Sequence, residues 1–366
     1  MSKKEIAARA LDNRMIRSLW GGSQHLRKGL RILAYHRVLD CNPKSFLFDE
    51  AVISASAEEF YQQMKFVSSH FNVISFADLH QCELEGRAWP DHALIVTFDD
   101  GYRDNYTQAY PILKAFHIPA TIFLVTGHIG QRKLFWWDRV AYCIKQTKLE
   151  AKDFPEITRQ RLRFSAPKDR EFATQQILDW IKQVPDEVSR KFVEQLSADL
   201  EVEMPENVGE GMTLSWDEVK EMADNKIEFG SHTVTHPILA NVGERQLDQE
   251  LSESKKMIEQ NINREVLALA YPVGRRTKYN QLAQKAAAKQ GFRYALSYEE
   301  GIVFQERFDR YAMTRIHVET EYSQSLYRAR VMFPNLMLRA EKENHSVFNN
   351  KEALSLSSEI VQKADS

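Results

Sequence analysis

Cysteine is scarce in this chain: three in 366 residues, Cys41, Cys82 and Cys143. Their wide spacing matches no zinc or redox motif, and an odd count argues against a disulfide framework. They are expected to be free thiols in a reducing compartment. Long apolar runs are also missing, and no stretch approaches the ~20 consecutive apolar residues of a membrane span. The N-terminus, MSKKEIAARALDNRMIRSLW, lacks an apolar core and a small-residue cleavage site, so it does not read as a secretory signal. Excess charge of one sign is absent too, with 49 basic and 51 acidic residues and a formal net charge of −2. That balance gives no reason to expect nucleic acid or an anionic membrane as a partner. The expected location is the cytoplasm.

What is present is ordinary globular material, 43% hydrophobic and 27% charged. The length suits one large catalytic domain with an insertion better than two equal domains. Residues 6–33 carry Ile6, Leu11, Met15, Ile16, Leu19, Trp20, Leu26, Leu30 and Leu33 among basic residues. This N-terminal segment, 1–30, is expected to form an amphipathic surface helix packed on the domain. Peripheral contact with the inner membrane is the alternative.

Short apolar runs alternate with amphipathic stretches from residue 31 to 320. Strands are expected at Arg31–Val38, Val73–Phe76, Ala93–Phe98, Ala120–Val125, Ile227–Gly230, Val266–Tyr271, Phe292–Ser297 and Tyr311–Val318. Helical spacing marks Ala57–His70, Asn105–Phe116, Trp216–Asp224, Glu244–Ile262 and Tyr279–Gln290. Strand then helix, repeated about seven or eight times, predicts a parallel β/α barrel of irregular form. Residues 140–212 break this rhythm with charged helical segments, Arg170–Val184 and Asp186–Leu200, and no convincing strand. They read as a helical insertion at one barrel mouth, where loop-borne segments commonly shape access. A C-terminal helix is expected at 321–340, and the polar tail 341–366 is expected to be disordered.

Two motifs carry chemistry. In ALIVTFDDGYRDN, residues 93–105, an apolar strand runs into Asp99-Asp100-Gly101. Two carboxylates at the end of a buried strand are costly unless something pairs with them. Strand alternation points the two side chains in different directions, so one can bind a metal while the other handles a proton. Gly101 permits a tight turn. The plainer reading of Asp100-Gly101 is a helix cap. In FGSHTVTHP, residues 229–237, His232 and His236 follow a strand at a spacing that lets two imidazoles converge on one ion. Solvent-exposed loop histidines are the plainer alternative. One carboxylate and two imidazoles suit Zn²⁺ and accept Co²⁺, Mn²⁺ or Ni²⁺. Three protein ligands leave positions open, as in a catalytic site.

TFDDG followed by SHTVTHP resembles the first two motifs of the polysaccharide deacetylase family, carbohydrate esterase family four. The resemblance covers roughly residues 31–135 and 213–320, and it implies an α/β fold, a distorted (β/α)7-type barrel. It implies Asp99 as catalytic base and Asp100, His232 and His236 as metal ligands. Leu269-Ala270-Tyr271-Pro272-Val273-Gly274 is similar to the third motif, but lacks the arginine that orients the base there. Arg275 or Arg315 could take that part. Leu214-Ser215-Trp216-Asp217 resembles a segment of the poly-N-acetylglucosamine deacetylase branch, although Ser215 also reads as a helix cap. Phe135-Trp136-Trp137-Asp138 could form an aromatic sugar platform, with core packing the commoner fate of such residues.

For the general acid two strands compete. Leu33-Ala34-Tyr35-His36-Arg37-Val38 resembles the circularly permuted branch and favours His36, while Thr314-Arg315-Ile316-His317-Val318 would follow the unpermuted layout and favour His317. The resemblance therefore implies a metal-dependent hydrolase that removes N-acetyl groups from an amino sugar in a polysaccharide or glycan precursor. Tyr102 (through a backbone N–H), Trp216, Asp217, Tyr271 and Arg275 are the residues expected at the substrate. A sugar-nucleotide glycosyltransferase, using Asp99-Asp100 for Mg²⁺ or Mn²⁺, leaves His232 and His236 unexplained. A catalytically inactive glycan-binding protein is the other alternative, motivated by the missing arginine. Nothing in the sequence speaks to oligomeric state.

Overall fold

The computed structural model describes residues 3–12, 27–42, 45–334 and 337. The strands are β1 (Arg31–Tyr35), β2 (Arg37–Val38), β3 (Ile53–Ala55), β4 (Asn72–Val73), β5 (Ala93–Phe98), β6 (Ala120–Leu124), β7 (Ala151–Lys152), β8 (Leu162–Arg163), β9 (Ile227–Ser231), β10 (Ala268–Ala270), β11 (Tyr294–Glu300) and β12 (Met313–His317). In the main sheet β1, β12, β11, β10, β9, β6 and β5 follow one another, every pairing is parallel, and β5 pairs back onto β1. These seven strands close a barrel, as expected, with β4 added outside on β5.

Closure explains the character of the strands. A barrel strand is covered on both faces, so ALIVTF is buried throughout rather than alternating apolar with polar. The alternation survives as a division between two cores. Leu94, Val96 and Phe98 join Phe60, Met64 and Val67 of the helix Ala57–His70 on the outer side. Ala93 and Ile95 join Phe123, Ala268, Leu296 and Met313 in a second cluster inside the barrel. The close strand packing needs Gly230, where a Cβ would lie 2.4 Å from the Phe123 ring.

Several helices match their expected bounds: Ala57–His70, Trp216–Asp224 and Glu244–Ile262. The expected helix Asn105–Phe116 is a π-helical turn, Asn105–Ala109, running into an α-helix, Tyr110–Ala115. The expected strand Val73–Phe76 is shorter, because Phe76 begins a helix, Phe76–Leu84. Ser75 and Asp78 close a capping box there, a pattern of serine followed three residues later by a carboxylate. The expected strand Arg31–Val38 is broken at His36. Beyond it β2 leaves the barrel to pair with β3.

The insertion starts a few residues earlier than the expected 140, because its first helix is Trp136–Gln146; it continues with the helices Pro167–Ile181 and Asp186–Asp199 and one short antiparallel pair, β7 with β8. Its apolar residues form their own cluster, including Phe154, Phe164, Ile177 and Leu196, which also takes in Tyr102 and Val125 of the barrel. At the N-terminus, the helix Lys3–Leu11 packs beside the helix Gln324–Met332, with Ala8, Leu326 and Ala329 buried together. The rest of the expected N-terminal amphipathic segment, from 13 to 26, and the 341–366 tail lie outside the described residues.

Candidate active site

The residues singled out in the sequence converge at one end of the barrel. Asp99 and Asp100 follow β5, His36 follows β1, His232 follows β9, and His317 ends β12. Parallel strands bring all their C-terminal ends to one mouth.

Strand alternation sets what each carboxylate meets. Positions 93 and 95 face the barrel interior, and Asp99 continues that series. On β12, Met313 faces the same interior, which brings Arg315 to Asp99. The guanidinium donates to both carboxylate oxygens at 2.8 Å and also to the Ser297 carbonyl at 2.9 Å. Arg315, 0% exposed, thus takes the place left by the missing motif-three arginine. Burial alone would raise the Asp99 carboxyl, but the Arg315 charge and hydrogen bonds hold it well below the usual carboxylate range. Arg275 is exposed, with its guanidinium 5.7 Å from the Tyr298 ring.

Asp100 turns the other way. It has φ 75° and Gly101 has φ 76°, a left-handed pair that favours glycine at the second position. A Cβ on Gly101 would come within 2.8 Å of Leu124. The turn directs Asp100 Oδ1 towards Nε2 of His232 at 3.5 Å and Nε2 of His236 at 3.6 Å. All three residues are buried, and their ligand atoms lie within 4.8 Å of one another. Asp100 Oδ1 has no hydrogen-bond partner. Burial first, then the neighbouring carboxylates of Asp99 and Asp138, push the Asp100 carboxyl well above its ordinary value. An orphaned carboxylate oxygen facing two imidazole nitrogens fits a divalent cation.

The histidines are positioned differently. His232 Nδ1 lies 2.7 Å from the Ala270 carbonyl, so it carries the proton and leaves the Nε2 lone pair towards Asp100. The motif-two loop is pinned by Glu250, whose carboxylate accepts from the N–H of Val234 at 2.7 Å, the N–H of Thr235 at 2.9 Å and the Thr235 hydroxyl at 2.6 Å. At His236 the Trp136 indole N–H donates to Nδ1 at 3.3 Å. An indole can only donate, so the His236 proton sits on Nε2 in this arrangement. Ligation through Nε2 requires the other tautomer and a displaced indole.

His36 and His317 are both inside the mouth, in unlike settings. His36 Nε2 lies 4.0 Å from Asp99 Oδ2, and its side chain is 21% exposed. Burial pushes its pKa down to about 4, against the pull of the Asp99 carboxylate. His317 stacks on Tyr298 with ring centroids 3.6 Å apart, and its Nδ1 lies 3.3 Å from Glu300. The sequence suggests that His317 points away from the core face of Ile316 and Val318, and it does. The opposite face of a barrel strand is the lumen, so His317 is buried too.

Other expected substrate contacts are arranged otherwise. The Tyr102 side chain is fully buried, its hydroxyl donating to Asp138 at 2.7 Å, which leaves only its backbone for the substrate. The Tyr271 hydroxyl donates to the Tyr311 carbonyl at 3.0 Å while its ring stacks on Tyr279. Trp216 packs on the outer core at the start of a helix capped by Ser215 and Glu218. The Asp217 side chain is 96% exposed, and its ion-pair partner is Lys220. In the aromatic segment Phe135 and Trp137 are buried, while Trp136 is half-buried against His236. Sequence reading did not single out Tyr298, Glu250 or Asp138 as an acid held beside the motif-one turn. A cavity of about 560 Å³ opens beside His236, its apolar wall formed by Trp136, Leu134, Ile181, Val193, Met204 and Ile238.

Comparison with known proteins gives a consistent result. Residues 87–295 match the family model described as polysaccharide deacetylase. YxkH of Bacillus subtilis (strain 168), whose name assigns it to the polysaccharide deacetylases, is 22% identical over 301 residues, 82% of this chain and 75% of that protein. The poly-β-1,6-N-acetyl-D-glucosamine N-deacetylase of Staphylococcus aureus (strain MSSA476) is 31% identical over 117 residues, 30% of this chain and 40% of that protein. Among solved structures, the Streptococcus pyogenes deacetylase PplD in complex with acetate is similar with a TM-score of 0.55 at 20% identity, over 84% of this chain and 99% of that one. IcaB from Ammonifex degensii gives 0.52 at 17% identity, over 83% and 96%. These structural likenesses speak to the fold.

Proposed function

The chain belongs to the polysaccharide deacetylase family, and from that premise we propose that it hydrolyses the N-acetyl group of an amino sugar in a glycan or glycan precursor, with a divalent ion, Zn²⁺ first, held by Asp100, His232 and His236. The observation that carries this reading is the unlike fate of two adjacent carboxylates. Asp99 is charge-paired by Arg315, and Asp100 faces two imidazoles with an oxygen left unpartnered.

An amide is a poor electrophile, and its nitrogen leaves only when protonated. When bound, the ion supplies Lewis-acid polarisation of the acetyl oxygen and lowers the pKa of water towards ~7. Asp99, kept ionised by Arg315, accepts the proton of the attacking water. The backbone N–H of Tyr102, which follows the Asp100–Gly101 turn, is the proposed donor to the tetrahedral oxyanion. His36 gives a proton to the leaving nitrogen. With its pKa near 4 the imidazole is neutral in the free site at pH 7, so it needs a proton from within the reaction. Asp99, 4.0 Å from His36, supports a relay in which the proton taken from water passes to His36 and then to nitrogen. The products are acetate and a free amine. His317, held by Glu300 and Tyr298, is the alternative acid.

The cavity beside His236 supports a substrate larger than one acetylated sugar. The proposed location, cytoplasmic with peripheral contact at the inner membrane as an option, favours a glycan precursor over a finished polymer. Fractionation of cells carrying a tagged chain tests it. The decisive assay for function is acetate release by the Zn²⁺-loaded protein from a panel of N-acetylhexosamine oligomers and lipid-linked glycans. Release from at least one member that is abolished by a chelator and restored by Zn²⁺ is expected. Release of a nucleoside diphosphate from sugar nucleotides, with no acetate from any glycan, would overturn the reading in favour of a glycosyltransferase.

A further inference from the structure

The segment Phe135–Asp138 begins the insertion, outside the barrel strands, yet it touches both chemical motifs. Trp137 is the link. Its indole N–H donates to the Tyr102 hydroxyl at 2.7 Å, and its ring lies edge-on to the His236 ring with centroids 4.6 Å apart. Tyr102 is two residues beyond Asp100, across the left-handed turn, and its hydroxyl donates in turn to Asp138 Oδ2 at 2.7 Å. The other Asp138 oxygen accepts from the Asp49 N–H at 3.0 Å. The Arg37 guanidinium covers the Tyr102 ring at 4.3 Å and is itself paired with Asp104 at 2.8 Å. On the remaining side Phe135 lies flat on Trp137, 4.7 Å away at 3°, and His128 stacks on Phe135 at 4.6 Å.

His128, Phe135, Trp137 and His236 therefore form a continuous pile of rings. Trp137, Tyr102 and Asp138 form a buried hydrogen-bond chain at its base. Tyr102 and Asp138 are 0% exposed and Trp137 is 5% exposed. A chain this dry is rigid, because every donor in it would lose its partner on movement and an unpaired buried polar group is costly. One end of the assembly fixes the backbone after Asp100, and the other fixes the ring of His236.

We propose that Trp137, Tyr102 and Asp138 are positioning residues that hold Asp100 and His236 in metal-binding register, so that the insertion, through its first helical turn, sets the affinity of the site for its ion. The proposal rests on the reading of Asp100, His232 and His236 as the ligands. None of the three positioning residues faces the ion through its side chain. They act on the motif-one turn and on the His236 ring, as outer partners of metal ligands commonly do.

The test is a Zn²⁺ titration of the full chain, stripped of metal and competed against a chromophoric chelator, well below the melting temperature of every variant. Trp137→Phe keeps an aromatic ring beside His236 and Phe135, with less area, and removes the donor to Tyr102. Tyr102→Phe removes the hydroxyl that joins Trp137 to Asp138. Each is expected to weaken Zn²⁺ binding about tenfold, the lower end of the range for outer partners of metal ligands. Leu196→Ala, in the core of the insertion, is the control. It should lower the melting temperature of the metal-free protein and leave the Zn²⁺ Kd unchanged. Should Tyr102→Phe fail to fold, Trp137→Phe alone carries the decision. Wild-type Kd in the folded clamp variants overturns the proposal, as does an equal loss of affinity in Leu196→Ala, which would assign the effect to general stability. Absence of Zn²⁺ binding by the wild-type chain is a different failure, overturning the ligand assignment itself and this proposal with it.

Discussion

Asp99 and Asp100 are consecutive, chemically identical and equally buried at 2% and 1% exposure, yet the fold treats them as opposites. Around Asp99 the chain supplies its own counter-charge, a guanidinium with two 2.8 Å hydrogen bonds. Around Asp100 it supplies two neutral imidazoles and leaves an oxygen bare. A buried carboxylate without a cation is unstable as an anion. The Asp99 half is thus charge-paired as folded, and the Asp100 half is not. In the proposed function the first serves proton transfer and the second holds the ion.

The largest expected effect breaks the Asp100 half. His232→Ala combined with His236→Ala should lose the bound ion and all measurable deacetylation, with elemental analysis as the check. Full metal content in the double variant would refute the ligand set. On the other half, Asp99→Asn should retain the ion and lose about 10²–10⁴-fold in kcat, the usual worth of a general base. A variant nearly as active as wild type would remove Asp99 from that role.

His36 and His317 sharpen the comparison within the proton-transfer half. His36→Ala should lower kcat by about 10²-fold with metal content unchanged, and far more than His317→Ala. An acetyl ester, whose alkoxide depends less on protonation, should narrow the His36→Ala defect. Equal or greater loss in His317→Ala would transfer the acid role to β12.

Arg315→Met tests how far Asp99 depends on its partner. Leaving that carboxylate buried and unpaired should cost about 3–5 kcal/mol in denaturant unfolding at neutral pH. The pH dependence has a definite sign. The folded-state pKa of Asp99 is depressed, so the stability from the pair is full above the unfolded carboxyl value of about 3.9 and is lost only as pH falls through the lower folded value. In the variant, burial without Arg315 raises the same carboxyl, so Asp99 takes up a proton and the variant recovers stability as pH falls. Unfolding midpoints of wild type and variant should therefore lie furthest apart at high pH, draw together as pH falls towards about 4, and meet in strong acid. A gap that does not change with pH would mean that another group is responsible. The smallest effect concerns Trp136. Because its indole N–H cannot stay opposite a protonated Nδ1 of His236, Zn²⁺ added to metal-free protein should change the tryptophan fluorescence. Trp136→Phe should remove most of that change, and an undiminished signal would place the displaced indole elsewhere.

Much of this was legible along the chain. ALIVTFDDG spells a two-sided buried strand followed by a tight turn, and FGSHTVTHP a strand followed by paired imidazoles, because both patterns are local. Helix bounds such as Ala57–His70 were readable because capping residues and periodicity agree there. The helix Phe76–Leu84 was missed although Ser75 and Asp78 announce it, because the apolar residues before it extended the strand pattern. The pattern along β12 sets His317 on the face opposite Ile316 and Val318, but does not say that this face is buried as well. Alternation tells which residues share a face, while only closure of the sheet says that both faces are covered.

The sequence by itself determined the β/α rhythm, the two motifs and the two candidate acids, since each depends on spacings of a few residues that the backbone converts directly into direction. The tertiary structure alone decided which arginine pairs with Asp99, because Arg315 and Asp99 are 216 positions apart and meet only where β1, lying between β5 and β12, closes the ring. It also decided that an insertion helix grips both motifs at once, through contacts between Trp137, Tyr102 and His236 that no periodicity encodes. Charge pairing and ring packing act through space over a few ångströms, and chain separation places no bound on which residues come that close.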